Sequence, residues 1–327
     1  MQHAAEKGLK VALAIDTPAL GDTIAAIPTL RKISEAHSGK KITVFTSKPF
    51  LFEGHPLVEA VFSLDQIDTS VYYVHRTFSP LIMKEHKIKE ELIEFRYSNM
   101  DFRQFHAVSL GFTLKPSEME IDLYIEKERE LSVKDYVIIH PTHTWPTRTW
   151  DQYKWQELVN RLNSEGIPVV AIGRDSKEEG TFNTQKPVMD INIKLGENLL
   201  NDLSNDISES RWMMNHRAKA VITMDSGVLH IAGTTDVHII QLGSSIDNKL
   251  RAPYRNGSQD YKYTYINGGC DIFCSSNMKY NIKEHGSIHG VPPQVMCLEN
   301  KETFECHPTV DQVFDATVKL YNVKKNG

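Results

Sequence analysis

The sequence predicts an α/β protein of two domains, each with a parallel sheet covered by helices on both faces. Short apolar runs such as KVALAID (10–16), DYVIIHP (135–141) and VHIIQLG (237–243) alternate with segments of helical spacing. Continuous apolar strands separated by helices are typical of parallel sheets that are buried on both sides. A charged segment, EKERELSVKD (126–135), separates two such series. We therefore expect two Rossmann-like domains whose parallel sheets face each other across a cleft.

The boundary between the two domains is predicted at residue 130, inside the charged segment. The N-terminal domain then spans residues 1–130 and the C-terminal domain spans residues 131–327, so each is long enough to bury its own core. The C-terminal domain includes a cysteine-containing tail and a final helix at PTVDQVFDATVKLYNV (308–323), whose apolar positions form one stripe.

The first domain begins with the strand at 10–16 and a helix in which Ile24, Ile27 and Leu30 keep helical spacing. Pro28 either lies in the first turn of a helix or kinks it, because proline lacks the backbone donor. Further strands are predicted at KITVFTS (41–47), VEAVFSL (58–64) and SVYYVH (70–75).

The second domain opens with the strand at 135–141 and a helix with clear ends. Asp151 is placed to cap this helix, and Gly166 is placed to end it. The remaining elements are a strand at PVVAIG (168–173), a helix at SESRWMMNHRA (208–218), a strand at KAVITM (219–224), a helix start at SGVLHIAG (226–233) and a strand at VHIIQLG (237–243).

Composition and charge limit the classes of function. Hydrophobic residues make up 40% and charged residues 24% of the chain, as in folded water-soluble proteins. The formal charge of −5 argues against a broad basic surface for nucleic acid. Because the chain has neither a signal-like apolar N-terminus nor an apolar run of membrane-spanning length, we expect a cytoplasmic protein. Peripheral contact with a membrane surface stays open.

The first polar junction follows the strand at 10–16, in the loop that contains Gly21 and Asp22. Ligands of open parallel sheets bind at the carboxyl ends of strands, where such loops lead into helices. Asp22 has two interpretations. It is either a helix cap, since aspartate is among the best N-cap residues, or a general base that faces the cleft.

The second junction, HPTHTWPTRTW (140–150), follows a buried strand. Hydroxyls and a guanidinium make a suitable phosphate cradle, because arginine offers a planar fork to phosphate oxygens. The candidate phosphate ligands are Thr142, Thr144, Thr147 and Arg148. The alternative is a surface loop with tryptophans packed beneath it and a solvated Arg148.

The third junction is MDSGVLH (224–230), where a strand ends and a helix begins. The backbone amides of Ser226, Gly227 and Val228 are donors of a helix start, a position that favours anions. Asp225 is itself an anion, so it is expected to order the turn or to accept from a hydroxyl. His230 either donates to a phosphate or is a histidine of the core.

Four cysteines form a C-x3-C-x22-C-x8-C pattern near the C-terminus, at Cys270, Cys274, Cys297 and Cys306. Four soft ligands in a short window suit tetrahedral zinc or iron. Four thiolates would leave no open coordination position, so such a metal would be structural. The alternative is four reduced cysteines in a folded tail. His285, His289 and His307 lie near the cysteines in sequence.

Together the three junctions resemble glycosyltransferase family 9, the heptosyltransferases of lipopolysaccharide synthesis, which have the GT-B fold. The resemblance rests on GD-x4-IP-x-L-R near the N-terminus, then HPTHTWPTRTW, then DSG-x2-H-x-A. It covers about residues 10–36 and 136–253. The family implies an acceptor-side N-terminal domain and a C-terminal domain that binds a nucleotide sugar.

The resemblance implies a role for each matching residue. Asp22 stands where the family has the base that deprotonates the acceptor hydroxyl. Arg148 stands where a lysine more usually binds the donor phosphate. The DSG-x2-H turn, here Asp225, Ser226, Gly227 and His230, holds the pyrophosphate of the donor. The reaction implied is inverting transfer of a sugar, usually heptose from an ADP-sugar, to a glycan, glycolipid or protein acceptor, and it needs no metal for catalysis.

Two departures from the family pattern leave the base and sugar of the donor open. Pro141-Thr142 replaces the usual Pro-Gly, and Gly243-Ser244-Ser245 replaces the usual Gly-Pro-Thr. A cysteine cluster also occurs in relatives that glycosylate autotransporter proteins and bind iron. Two further alternatives are kept: transfer of another sugar to a protein or modified DNA, and a nucleotide-sugar-binding module without activity.

Overall fold

The chain divides into two α/β units. In the computed structural model the residues described are 9–17, 19–78, 100–141, 146–173, 199–202, 206–276, 297 and 304–323. The first unit comprises Met1–Ile125 with Pro253–Ser258, and the second comprises Glu126–Ala252 with Gln259–Gly327. The predicted boundary at residue 130 thus lies shortly after the observed division, and the short return of Pro253–Ser258 to the first unit was not predicted.

The first unit contains a four-stranded parallel sheet in the order β3-β2-β1-β4. All four strands were predicted, because each is a compact apolar or β-branched run. The strands are β1 (Lys10–Asp16), β2 (Ile42–Thr46), β3 (Val58–Phe62) and β4 (Tyr72–Phe78). The described helices are α1 (Leu20–Ala26), α2 (Thr29–Ala36) and α3 (Phe102–Ser109).

Pro28 divides the helical segment after β1 into two helices. The helix α1 ends at Ala26, and Pro28 is the N-cap residue of α2. Proline is tolerated at this end because the amide it lacks would have no partner within the helix. The side chains of Ile24 and Leu30 are fully buried, so both helices pack their apolar faces against the core.

The second unit contains a six-stranded parallel sheet in the order β10-β9-β8-β5-β6-β7. Its strands are β5 (Tyr136–His140), β6 (Val169–Ile172), β7 (Leu199–Asp202), β8 (Ala218–Thr223), β9 (His238–Leu242) and β10 (Tyr263–Ile266). Its described helices are α4 (Gln152–Ser164), α5 (Ile207–His216), α6 (Gly227–Ala232) and α7 (Val310–Val323). The two edge strands, β7 and β10, were not predicted.

The strand order of this sheet reverses between β5 and β8. The chain adds β6 and β7 on one side of β5, then returns to add β8, β9 and β10 on the other side. Such a reversal leaves a crevice at the carboxyl ends of the two central strands, and this is where doubly wound folds bind ligands. The loops after β5 and β8 are the second and third polar junctions of the sequence.

The helix α4 has the ends that the sequence predicted. The Asp151 side chain accepts from the Tyr153 amide at 2.7 Å, and Gly166 adopts a left-handed φ of 69° just beyond the helix. The Trp155 ring meets Trp150 edge-on with the centroids 4.8 Å apart, and both rings are buried in the same core as α7. Within the described ranges, none of the helices has both the length and the apolar character needed to cross a bilayer.

Candidate functional site

A buried carboxylate lies between two arginines at the crevice of the second unit. The Asp225 side chain is only 3% exposed, and its Oδ2 is 3.5 Å from Arg148 Nε and 3.6 Å from Arg251 Nε. Arg148 Nη1 also donates to the Asp225 carbonyl at 3.4 Å. We call these three residues the Arg–Asp–Arg cluster. Two guanidiniums and one carboxylate give it a formal charge of +1, which suits an anionic ligand.

The solvated-loop interpretation of Arg148 is wrong. Its side chain is 15% exposed and pairs with Asp225 from the neighbouring junction. The structure therefore brings the second and third polar junctions together. The second junction contains three further predicted ligands. Thr147 is buried, whereas Thr142 and Thr144 lie outside the described residues.

The hydroxyl of Ser226 is held by groups beneath the turn. Ser226 is the N-cap residue of α6, but its side chain does not cap the helix. Its Oγ instead lies 3.1 Å from Thr223 Oγ1 and 3.3 Å from His140 Nδ1. Burial lowers the pKa of His140 to about 4, so the imidazole is neutral at pH 7. Sequence analysis missed His140 and Thr223 as supports of this turn.

The remaining two residues of the third junction lie in α6. Gly227, where the helix begins, is half-buried, whereas His230 is only 3% exposed. This burial favours the interpretation of His230 as a core histidine, and its contact with a donor stays a prediction.

The segment that follows the last cysteine supports the loop that carries Arg148. The His307 Nε2 donates to the Thr147 carbonyl at 2.9 Å. This hydrogen bond holds the backbone of the residue before Arg148 in place. The Trp150 indole donates to the Pro308 carbonyl at 2.9 Å. Both acceptors are buried backbone groups, whose pairing holds the loop in one arrangement.

Asp22 in the first unit is not a helix cap. The N-cap residue of α1 is Ala19, so Asp22 lies within the first turn, and the capping interpretation is wrong. Its Oδ2 accepts from the Thr17 hydroxyl at 3.2 Å. The side chain is partly exposed at the carboxyl end of β1, where a parallel sheet binds ligands.

All four cysteines border one small cavity in the second unit. The cavity is lined by Cys270, Cys274, Cys297 and Cys306 together with Thr147 and Ser245. None of these four cysteines forms a disulfide bond, and burial raises the pKa of Cys274 to about 11 and that of Cys306 to about 12. The sequence pattern thus predicted side chains that do converge on one place.

A glycine allows the two cysteine-bearing segments to approach each other. The Gly268 amide donates to the Cys306 carbonyl at 3.1 Å. A Cβ at Gly268 would collide with the carbonyl oxygens of Glu305 and His307. A larger residue here would separate the loop after β10 from the segment before α7.

The donor set around this cavity fits a thiolate-bound metal in its chemistry. Soft tetrahedral sites for zinc or iron are built from four cysteines. In the part of the chain that the structure describes, no three cysteine, histidine, aspartate or glutamate side chains are placed to hold an ion as they stand. Ligation would therefore need the thiols to turn further into the cavity that they share. His285 and His289 lie outside the described residues.

The two parallel α/β units have the GT-B fold. A model described as glycosyltransferase family 9 (heptosyltransferase) matches residues 87–260, and the chain belongs to this family. No curated protein sequence matches the chain.

Solved structures share this fold at low sequence identity. The iron-containing dodecameric glycosyltransferase TibC from enterotoxigenic E. coli H10407 is 20% identical, with 96% of this chain and 77% of that chain covered at a TM-score of 0.64. TibC in complex with ADP-D-beta-D-heptose is 19% identical, with 98% and 80% covered at a TM-score of 0.68. The E. coli ADP-heptose lps heptosyltransferase II is 14% identical, with 97% and 100% covered at a TM-score of 0.57.

Proposed function

We propose that this protein transfers a heptose from ADP-heptose to an acceptor hydroxyl with inversion at the sugar, and that Asp22 is the general base. The observation that carries the proposal is the ion pair of Arg148 with Asp225, which joins the two donor motifs of the family at the crevice of the sheet. Two of the solved structures with this fold are named for ADP-heptose as ligand or substrate. The acceptor proposed is a glycan, a glycolipid or a protein.

On the donor side, the second unit binds and stabilises the diphosphate that leaves. Arg148 supplies a planar set of donors to phosphate oxygens, and the amides of Ser226 and Gly227 add neutral donors. Thr142 and Thr144 are further proposed ligands. These groups stabilise the negative charge that develops on the diphosphate, so catalysis does not need a divalent metal ion.

On the acceptor side, Asp22 takes the proton of the attacking hydroxyl. The acceptor oxygen forms a bond to the anomeric carbon while the bond from that carbon to the diphosphate oxygen breaks, and ADP departs. Attack from the face opposite the leaving group inverts the anomeric centre. The Thr17 hydroxyl, which donates to Asp22 Oδ2, orients the carboxylate for this step.

A thermal-shift comparison of nucleotide sugars tests the donor. A ligand that binds only the folded protein stabilises it, by about 2.7 kcal/mol at a hundredfold excess over the Kd. We expect ADP-heptose and ADP to raise the melting temperature, and UDP-glucose and GDP-mannose at equal concentration to leave it unchanged. A higher melting temperature with UDP-glucose alone would contradict ADP-heptose as the donor and indicate another nucleotide sugar.

A transfer assay then separates the enzyme from a binding module without activity. The assay measures release of ADP from ADP-heptose with glycan, glycolipid and protein acceptors in turn. We expect ADP to be released in the presence of one of these three acceptor classes. Binding of ADP-heptose without release in the presence of any acceptor would favour the inactive module. Location in the cytoplasm and contact with a membrane surface stay predictions.

We propose further that the four cysteines hold one structural zinc or iron ion. The four thiols around one cavity support this, as does the iron-containing relative TibC. When bound, the metal would tie the loop after β10 to the segment before α7. Cys270, Cys274, Cys297 and Cys306 would all be ligands, so no position is left for substrate.

Elemental analysis of the purified protein tests the metal proposal. We expect about one zinc or iron per chain in the parent protein and a loss of that metal, with a lower melting temperature, in Cys306→Ala. Cys306 is the most informative position because it lines the cavity and is the one of the four cysteines that is buried. A parent protein purified without chelators that contains no metal would contradict the proposal.

A further inference from the structure

We propose that Arg251 is a second arginine of the donor site, so that two guanidiniums bind the diphosphate. This inference rests on the proposed function, because it assigns a further residue to the same donor. None of the motifs that carry the family resemblance contains Arg251. The residue lies in the loop after β9, beyond the Gly243-Ser244-Ser245 turn where the sequence departs from the family pattern.

The geometry of Arg251 parallels that of Arg148. Both arginines direct Nε toward the same oxygen of Asp225, at distances that differ by only a tenth of an ångström. Both side chains are largely buried, with 12% of Arg251 and 15% of Arg148 exposed. Arg251 therefore occupies an environment of the same kind as that of Arg148, beside the same carboxylate oxygen.

The charges of the Arg–Asp–Arg cluster favour a bound anion. Arg148 and Arg251 place their Nε atoms 3.5 and 3.6 Å from one carboxylate oxygen, so two guanidiniums stand at the same turn. Each guanidinium presents a planar set of N–H donors that matches phosphate oxygens. A diphosphate, which bears several negative charges and acceptor oxygens, is complementary to such a pair.

The backbone on both sides of Arg251 is held in place. Gln259 Nε2 lies 2.9 Å from the carbonyl oxygens of both Lys249 and Ala252, so one amide group spans the residue. Asp247 caps the short 3-10 turn that precedes it by accepting from the Lys249 amide at 3.0 Å. Because the backbone is already constrained, little backbone freedom is lost when the side chain binds a ligand.

Calorimetric titration of the intact protein with adenosine, AMP and ADP tests this role. We expect Arg251→Gln to weaken ADP about tenfold, as loss of one charge-assisted hydrogen bond implies, and to leave adenosine unchanged. Arg251→Lys, which keeps the charge, should recover part of the loss. Arg217→Gln is the matched control, because Arg217 pairs with Glu130 on the surface of the same unit.

The outcomes distinguish this inference from the proposed function. If the parent binds ADP and Arg251→Gln binds it equally well, the second arginine is excluded while the donor proposal stands. Equal weakening of adenosine and ADP, with a lower melting temperature, would show that Arg251 only supports the fold of the loop. A parent protein that binds neither ADP nor ADP-heptose would overturn both.

Discussion

Replacement of Asp22 by asparagine is expected to lower the rate of heptose transfer by about 10²–10⁴-fold, the range that positioned general bases contribute. Asparagine keeps the size of the side chain and can still accept from the Thr17 hydroxyl, so the local structure of α1 should survive. Because Asp22 belongs to the first unit and the donor motifs belong to the second, the affinity for ADP should not change. The measurements are kcat for transfer and the Kd of ADP.

The control for Asp22 is an exposed aspartate of the same unit. Asp65 lies in a short 3-10 turn after β3, and Asp65→Asn should transfer at the parental rate. Thr17→Val tests the orientation of the base, and a loss of severalfold is expected because one hydrogen bond to the carboxylate is removed. Parental turnover in Asp22→Asn would show that another group takes the proton. Loss of ADP binding in that variant would point to a structural effect.

Most of the fold was predictable because its strands are locally marked. Strands β1, β5 and β8 are continuous apolar runs that a buried parallel sheet requires on both faces. The strands that were missed, β7 and β10, lie at the two edges of the second sheet. The residues of β10, YTYI, are only partly buried. Because partial burial does not require apolar side chains throughout, this edge strand has no continuous apolar run.

The candidate site was predictable only where a motif is local in sequence. Asp22, Arg148 and the DSG turn lie in the segments that follow strands β1, β5 and β8, which places them at the ligand-binding ends of sheets. The roles of His140, which opens the HPTHTWPTRTW motif, and of Arg251 could not be found this way, because they depend on which segments become neighbours. His140 meets Thr223 only because β5 pairs with β8, and Arg251 reaches Asp225 from a loop with no motif of its own.

The cysteine-containing tail is packed against the loop that carries Arg148. Thr147 lines the cysteine cavity, accepts from His307 and immediately precedes Arg148 in sequence. Ser245, which also lines the cavity, is within hydrogen-bond distance of Ser275 at 2.7 Å. The tail that follows the sheet therefore supports the loop that places the guanidinium beside Asp225. In this arrangement, residues distant in sequence fix the side chain that we propose as the phosphate ligand.

Replacement of Arg148 by alanine is expected to weaken ADP binding about a hundredfold. A bidentate arginine makes two charge-assisted hydrogen bonds to a diphosphate, and their loss corresponds to roughly 3 kcal/mol. The fold should tolerate the change, because Arg251 still pairs with the buried Asp225 carboxylate. Arg148→Lys should retain most of the affinity, since lysine keeps the positive charge and is the residue more usual in the family at this position.

The comparison that decides the role of Arg148 uses ADP affinity and melting temperature together. Arg161→Ala is the control, because Arg161 lies on α4 of the same unit and pairs on the surface with Asp311 at 2.6 Å. We expect this control to bind ADP as the parent does. An Arg148→Ala protein that melts normally and binds ADP with parental affinity would exclude the loop after β5 as the donor site. A protein that binds adenosine normally but ADP a hundredfold more weakly would locate the diphosphate beside Asp225.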